Sequence, residues 1–105
     1  MRFFEPAAYS EELTLAIFQE VPSEHQGILL ESQPLREQLL GLKEDVERGL
    51  KELLSGGPSS VDDFDARLKS RKRAIIQAAP TGHVTLEKIV ASVCRHVIAV
   101  ARALK

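Results

Sequence analysis

The sequence predicts an all-α protein, an up-down antiparallel bundle of four helices that allows a short extra helix near residues 23–31. Apolar residues recur at steps of three and four through about 33–54 and again through about 86–104. Clusters of Gly, Pro and Ser interrupt this pattern, and the connections that they form are short. Short connections make sequential helices antiparallel neighbours, which is the arrangement of an up-down bundle.

Length and composition agree with one small domain over 1–105, in which 1–9 are expected to form an N-terminal arm. The chain is 44% apolar, which is typical of a folded protein rather than a disordered one. A net charge of −1 excludes a strongly basic, histone-like protein. No apolar run approaches the roughly 18 residues of a membrane span. The start lacks the apolar region of a secretory signal, and the one cysteine is unpaired, so we expect a cytoplasmic location.

The first helix is predicted to begin at Ser10 and to run to about Val21, before Pro22. Serine caps exposed backbone N–H groups, and the two glutamates that follow it suit the positive end of a helix dipole. The apolar residues within 13–17 also alternate as they would in a strand, so that alternative stays open at this point. The next four residues, 23–26, fit a capping box for the short extra helix.

The second helix is predicted from Ser32, a cap, through Pro34 in the first turn to about Leu54. Gly49 lies on its apolar seam, where the lack of a side chain would admit a close neighbour. The seam consists of Leu35, Leu39, Leu42, Val46, Leu50 and Leu53.

The third helix follows the break at 55–58 and is predicted from about Val61 to Ala79. Its apolar residues again recur at helical spacing, and aspartates occupy its positive end. Lys72 falls near the middle of the apolar face. Either its stem lies along the apolar surface with the charge in water, or its charge meets a carboxylate from an acidic helix, inside the bundle or across a dimer.

The last helix is predicted from about Leu86 to Leu104, after a turn at 80–83, with Thr85 as its cap. Its apolar positions cover about half of the helix circumference. Many of them are β-branched, and such residues are modest helix formers, so packing must stabilise this helix. We therefore expect it to be the central helix and to carry more apolar surface than a small bundle hides.

Charge is divided unevenly along the chain, with a net charge of −9 over residues 1–65 and +8 over residues 66–105. In a bundle, the acidic first part can pair with the basic second part, and helical pairs are predicted between Asp63 and Arg67 and between Asp65 and Lys69. The alternative is that the cations contact phosphate or nucleic acid. The candidate residues for that contact are Arg67, Lys69, Arg71, Lys72, Arg73, Arg95 and Arg102.

We find no catalytic, cofactor or metal-binding pattern in the sequence. Cys94 and His96 would point about 200° apart on a helix, so they cannot share a metal ion. Cys94 is expected to be a small buried apolar residue. The Gly-rich segment at 56–60 lacks the Lys of a phosphate-binding loop.

The function predicted from these features is a non-enzymatic helical protein–protein interaction module, such as an adaptor, a small regulator or a chaperone-like partner. Uncovered apolar helix faces would make it self-associate, as a two-fold dimer. A nucleic-acid-associated regulator is the alternative, and a small enzyme or enzyme subunit is the third expectation. The predicted interface residues are Leu40, Leu54, Ile89, Val93, Val97, Val100 and Leu104.

Overall fold

A computed structural model of the protein describes residues 5–21, 26–27, 31–57, 60–79 and 84–104. The chain forms helices over nearly all of these residues, which confirms the all-α prediction and excludes the strand alternative for the first segment. Within the described residues, the helices whose two ends the structure gives are α1 (Pro6–Glu20), α2 (Gln33–Leu54), α3 (Val61–Ala78) and α4 (Val84–Leu104).

Local capping sets the limits of α2 and α3 where the sequence predicted them. The hydroxyl of Ser32 accepts a hydrogen bond from the backbone N–H of Leu35 at 3.4 Å. At α3, Ser60 and Asp63 form a reciprocal capping box, with bonds of 3.1 and 3.3 Å that satisfy two otherwise unpaired N–H groups. After α2, Gly56 adopts a φ of 71°, a left-handed conformation that glycine enters at little cost.

The predicted start of α1 at Ser10 is wrong, because the helix begins four residues earlier, at Pro6. Proline is favourable in the first turn, since its fixed φ suits a helix and its missing N–H has no helical partner to lose. Ser10 lies within the helix and is buried, and its hydroxyl donates to the carbonyl of Ala7 at 2.9 Å. The predicted arm 1–9 is therefore helical from Pro6 onward.

The other helix limits differ only slightly from the predictions. α4 begins at Val84, so Thr85 lies inside the helix rather than at its cap. α3 ends one residue before the predicted limit. The predicted extra helix near 23–31 falls mostly outside the described residues, although Gln26 and Gly27 have helical backbone.

The helices form a four-helix bundle in which each helix packs against the next in the chain and α4 also packs against α1. α2 and α4 touch across the centre. The ring of Phe64 lies against Gly49, where a Cβ atom would overlap it, so the close neighbour predicted at this glycine is confirmed. The core consists of Ile17, Val21, Leu35, Leu39, Leu42, Val46, Leu50, Phe64, Leu68, Ile75, Leu86, Ile89, Val90, Val97, Ile98 and Ala101.

The apolar face of α4 is largely covered by the protein's own helices. Ile89 and Val97, which the sequence placed at an interface with a partner, are 7% and 0% exposed and belong to the core. The physical reason is that α4 contacts all three other helices, whose combined surface is wide enough to cover a broad apolar stripe. None of the described helices is long and apolar enough to cross a lipid bilayer.

Candidate binding groove between α3 and α4

Two of the cations in α3 are directed toward acidic side chains of α2. Arg71 donates from Nε to Asp45 Oδ2 at 2.8 Å and from Nη1 to Gln38 Oε1 at 2.7 Å. Arg67 approaches Glu52 of α2, with 3.7 Å between Nη2 and Oε2. The predicted partner of Arg67, Asp63, instead takes part in the capping box at the start of α3. These contacts agree with the interpretation that the basic part of the chain pairs with the acidic part.

Gly41 is a structural requirement of the Arg71 contacts that the sequence reasoning missed. A Cβ atom at this position would overlap the guanidinium group of Arg71, so the group packs directly on the backbone of α2. The available signal was the glycine itself, because a glycine in the middle of a helix costs about 1 kcal/mol relative to alanine and so indicates a close approach.

A second set of cations lines a groove on the other side of α3, between α3 and α4. The groove has a volume of about 590 Å³. Its basic residues are Lys69 and Lys72 from α3 and Arg95 and Arg102 from α4, and among the described residues that line it the carboxylate of Asp65 is the one acidic group. The structure thus brings four of the seven predicted phosphate-contact residues together.

The ion pair between Asp65 and Lys69 is present as predicted, with 3.3 Å between Oδ2 and Nζ. The three remaining cations of the groove, Lys72, Arg95 and Arg102, form no ion pair with a carboxylate in the described part of the chain. The described lining of the groove, with one acidic and four basic side chains, therefore carries a formal net charge of +3.

The floor of the groove is apolar and is built from residues of α4. Ala91, Cys94, Ile98 and Ala99 line it between the basic side chains. Ile98 is 7% exposed and belongs to the core, and the half-buried Cys94 packs against the core as well. An apolar side chain of a bound molecule can therefore cover this floor. Acidic groups of the same molecule can pair with the basic side chains on either side.

Lys72 lies half-buried on the wall of this groove. The alternative in which its charge meets a carboxylate of an acidic helix is not observed among the described residues. Burial raises the pKa of the nearby Cys94 thiol to about 11, an effect that the positive charge of Lys72 opposes and the negative charge of Asp65 reinforces. The thiol is therefore protonated at neutral pH, and it is a poor nucleophile there.

The remaining predicted residues do not share a site. Arg73 is exposed and does not line the groove. Leu40 and Leu54 of α2 are 54% and 45% exposed, and Leu15 of α1, which the sequence reasoning did not select, is 55% exposed. Val93, Val100 and Leu104 are half-buried on α4.

Groups of three or more His, Cys, Asp or Glu that could hold a metal ion do not occur among the described residues. Comparison of the chain with protein families, with curated proteins and with solved structures gives no match.

Proposed function

We propose that the protein is a non-enzymatic helical protein–protein interaction module that binds a partner protein in the groove between α3 and α4. The observation that carries this proposal is the combination of an apolar floor with three cations, Lys72, Arg95 and Arg102, that have no carboxylate partner in the described residues. Charged rims around an apolar floor are typical of surfaces that bind amphipathic segments of other proteins.

The shape of the groove favours a segment of polypeptide over a small compact ligand. Its α4 side extends from Ala91 to Arg102, which is about 16 Å along the helix axis. Its α3 side extends from Asp65 to Lys72, about 10 Å. A rod-like segment can contact the whole length of such an open groove, which suits an adaptor, a small regulator or a chaperone-like partner.

Nucleic acid is the second candidate occupant, because the same four basic side chains could contact phosphates. Two observations weigh against it. Arg67 and Arg71 point to α2 and contact acidic residues there, so they are not available on this face. The described lining also offers no aromatic side chain on which a base could stack. Nothing in the described residues favours the third expectation, an enzyme.

Self-association remains a separate prediction. The exposed Leu40 and Leu54 are the interface candidates most open to solvent, whereas Ile89 and Val97 are in the core. The two leucines are fourteen positions apart, about 21 Å along α2, and single exposed leucines are common on protein surfaces. A two-fold dimer through α2 predicts that Leu40→Glu with Leu54→Glu lowers the mass measured by sedimentation equilibrium to that of the monomer. An unchanged mass would exclude that interface.

The proposed function is tested by capture of partners on the immobilised full chain. The groove is blocked by Ala99→Trp, and the matched control is Ala8→Trp, which adds the same bulk at an exposed position on α1. We expect the wild type and the control to retain the same protein after nuclease treatment, and the blocked variant to lose it. The proposal is refuted if no captured protein depends on the groove, or if capture disappears with nuclease treatment.

A further inference from the structure

We infer that the occupant of the groove is an acidic, amphipathic α-helix of about three turns from a partner protein. This inference rests on the proposed function and specifies the chemistry of the partner. It combines the net positive charge of the groove, the spacing of its cations along α4 and the apolar strip between them.

The charge of the groove selects an acidic partner. The negative charge of Asp65 is already engaged with Lys69, with 3.3 Å between the two groups. The other three cations have no carboxylate partner in the part of the chain that the structure describes. Carboxylates from a partner would pair with these cations, whereas a basic segment would be repelled. Charge complementarity therefore favours acidic partners and disfavours basic ones.

The spacing of the two arginines on α4 matches side-chain positions on a helical partner. Arg95 and Arg102 are seven positions apart on α4, so they project from nearly the same side of the helix about 10.5 Å apart. Carboxylates at positions i and i+7 of a helix lying along the groove have the same separation and direction. Two acidic side chains of the partner can therefore pair with both arginines at once.

The apolar floor between the two arginines requires apolar side chains on the face of the partner helix that contacts it. Ile98 lies between Arg95 and Arg102 in the sequence, and Cys94 lies one turn before it. Residues i+3 and i+4 of the partner helix would lie over this strip, and leucines there would cover it. Ala91 and Ala99 have short side chains, so the axes of two helices can approach closely at this point. A nucleic acid offers phosphates of suitable charge, but no aliphatic side chain for the strip.

The binding test uses the full chain and a synthetic peptide as the probe. The peptide has about 16 residues in an Ala and Gln background, with capped ends, because shorter helices are marginal in water. Glu occupies its fourth and eleventh positions, and Leu its seventh and eighth. A scrambled peptide of identical composition places these four residues on different faces. Duplex DNA and single-stranded RNA of random sequence are measured beside them, all by fluorescence anisotropy.

We expect the amphipathic peptide to bind and the scrambled peptide to bind at least about tenfold more weakly. Arg95→Gln with Arg102→Gln should weaken binding of the amphipathic peptide by about tenfold, since two exposed charge pairs are lost. The matched control, Arg48→Gln with Arg73→Gln, removes the same charge at exposed positions outside the groove and should change binding by less than about twofold.

Charge reversal supplies a second test, because a variant that is merely less stable would lose binding of the acidic peptide without gaining binding of a basic one. The variant Arg95→Glu with Arg102→Glu should reject the acidic peptide and bind the same peptide with Lys in place of Glu. Circular dichroism checks that each variant is folded. Bound peptide should also slow the alkylation of Cys94, because that thiol lies in the floor of the groove.

The inference is overturned if the two peptides bind equally, if the control variant loses as much affinity as the groove variant, or if reversal does not exchange the preference. Tight binding of DNA or RNA that depends on Arg95 and Arg102 would overturn it in favour of nucleic acid. If capture on the full chain finds a groove-dependent protein while the acidic peptide does not bind, the partner class is wrong and the proposed function stands. If no groove-dependent protein is captured and the acidic peptide does not bind, the partner class and the proposed function are both wrong.

Discussion

The ion pair of Arg71 with Asp45 joins α3 to α2, and its energetic contribution can be measured directly. The two side chains are 28% and 19% exposed, and 2.8 Å separates Nε from Oδ2. A fully exposed ion pair contributes about 0.2–1 kcal/mol, and a hydrogen bond to a charged group about 1.5–3 kcal/mol. A partly buried pair with hydrogen-bonding geometry lies between these limits, so we expect a coupling free energy of about 1–2 kcal/mol.

The assay is a double-mutant cycle of Arg71→Met and Asp45→Asn, with the free energy of unfolding measured by urea titration at neutral pH. The reference is a second cycle on Glu47 and Lys51, an i,i+4 pair on α2 with 2.7 Å between Oε1 and Nζ, in which the Lys51 side chain is 59% exposed. Solvent screens an exposed helical pair of this kind, so its coupling free energy should be the smaller of the two. The reasoning is refuted if the coupling of Arg71 with Asp45 is no larger than that of the reference pair.

Gly41→Ala extends the same experiment. The new Cβ atom would displace the guanidinium of Arg71, because both need the same space. We expect the coupling between Arg71 and Asp45 to fall toward zero in this background. The total stability should change little, since alanine recovers about 1 kcal/mol of helix propensity. A coupling that survives intact would show that the arginine does not depend on the glycine.

Three further predictions follow from single sites. Gly49→Ala should lower the free energy of unfolding, measured by urea titration, by about 1–2 kcal/mol. The new Cβ would overlap the buried ring of Phe64, and this overpacking outweighs the gain in helix propensity. Increased stability would contradict the close packing of the ring on Gly49. Ser60→Ala should cost about 1 kcal/mol by removing the hydroxyl that caps Asp63, and a loss below about 0.3 kcal/mol would argue against the capping box. At about pH 8, Cys94 in the native protein should react with iodoacetamide about 100-fold more slowly than in urea, because burial raises its pKa from 9.0 to about 11, and equal rates would show that the thiol is not buried.

The raised pKa of Cys94 also sets a direction for the dependence of stability on pH. Between about pH 9 and pH 11 the unfolded chain loses the thiol proton while the native chain keeps it, so the free energy of unfolding must fall as the pH rises. The stabilisation is complete below this range. Cys94→Ala should have a shallower decrease over the same interval, measured by urea titration at each pH. Parallel curves for the two proteins would contradict the assignment.

Part of the candidate site was accessible from the sequence. Helical geometry at 100° per residue predicts Arg67 and Arg71 on one side of the apolar face of α3 and Lys69 and Arg73 on the other. The structure directs Arg67 and Arg71 to α2 and places Lys69 at the groove, whereas Arg73 does not line it. The sequence also selected Arg95 and Arg102 as candidates for the same contact. It did not reveal that these two arginines face Lys69 across a groove, because the relation between two helices depends on how they pack.

The interface predicted on α4 is an example of what the sequence did not predict. The periodicity of α4 correctly marked its apolar residues, yet periodicity does not show whether a residue is covered by its own chain or by a partner. Ile89 and Val97 are covered internally, whereas Leu40 stays exposed. Similarly, Ser10 matched a capping pattern, but Pro6 begins the helix earlier, and the serine hydroxyl bonds within it.

Local sequence patterns predicted the helices, the break at 55–58 and the cap at Ser32, because these depend on interactions between residues that are close along the chain. The tertiary structure alone decided which cations contact α2 and which surround the groove, and how much of α4 is covered. Both depend on which helix surfaces meet and at what distance. That is settled by packing between segments far apart in the chain, where local spacing carries no information.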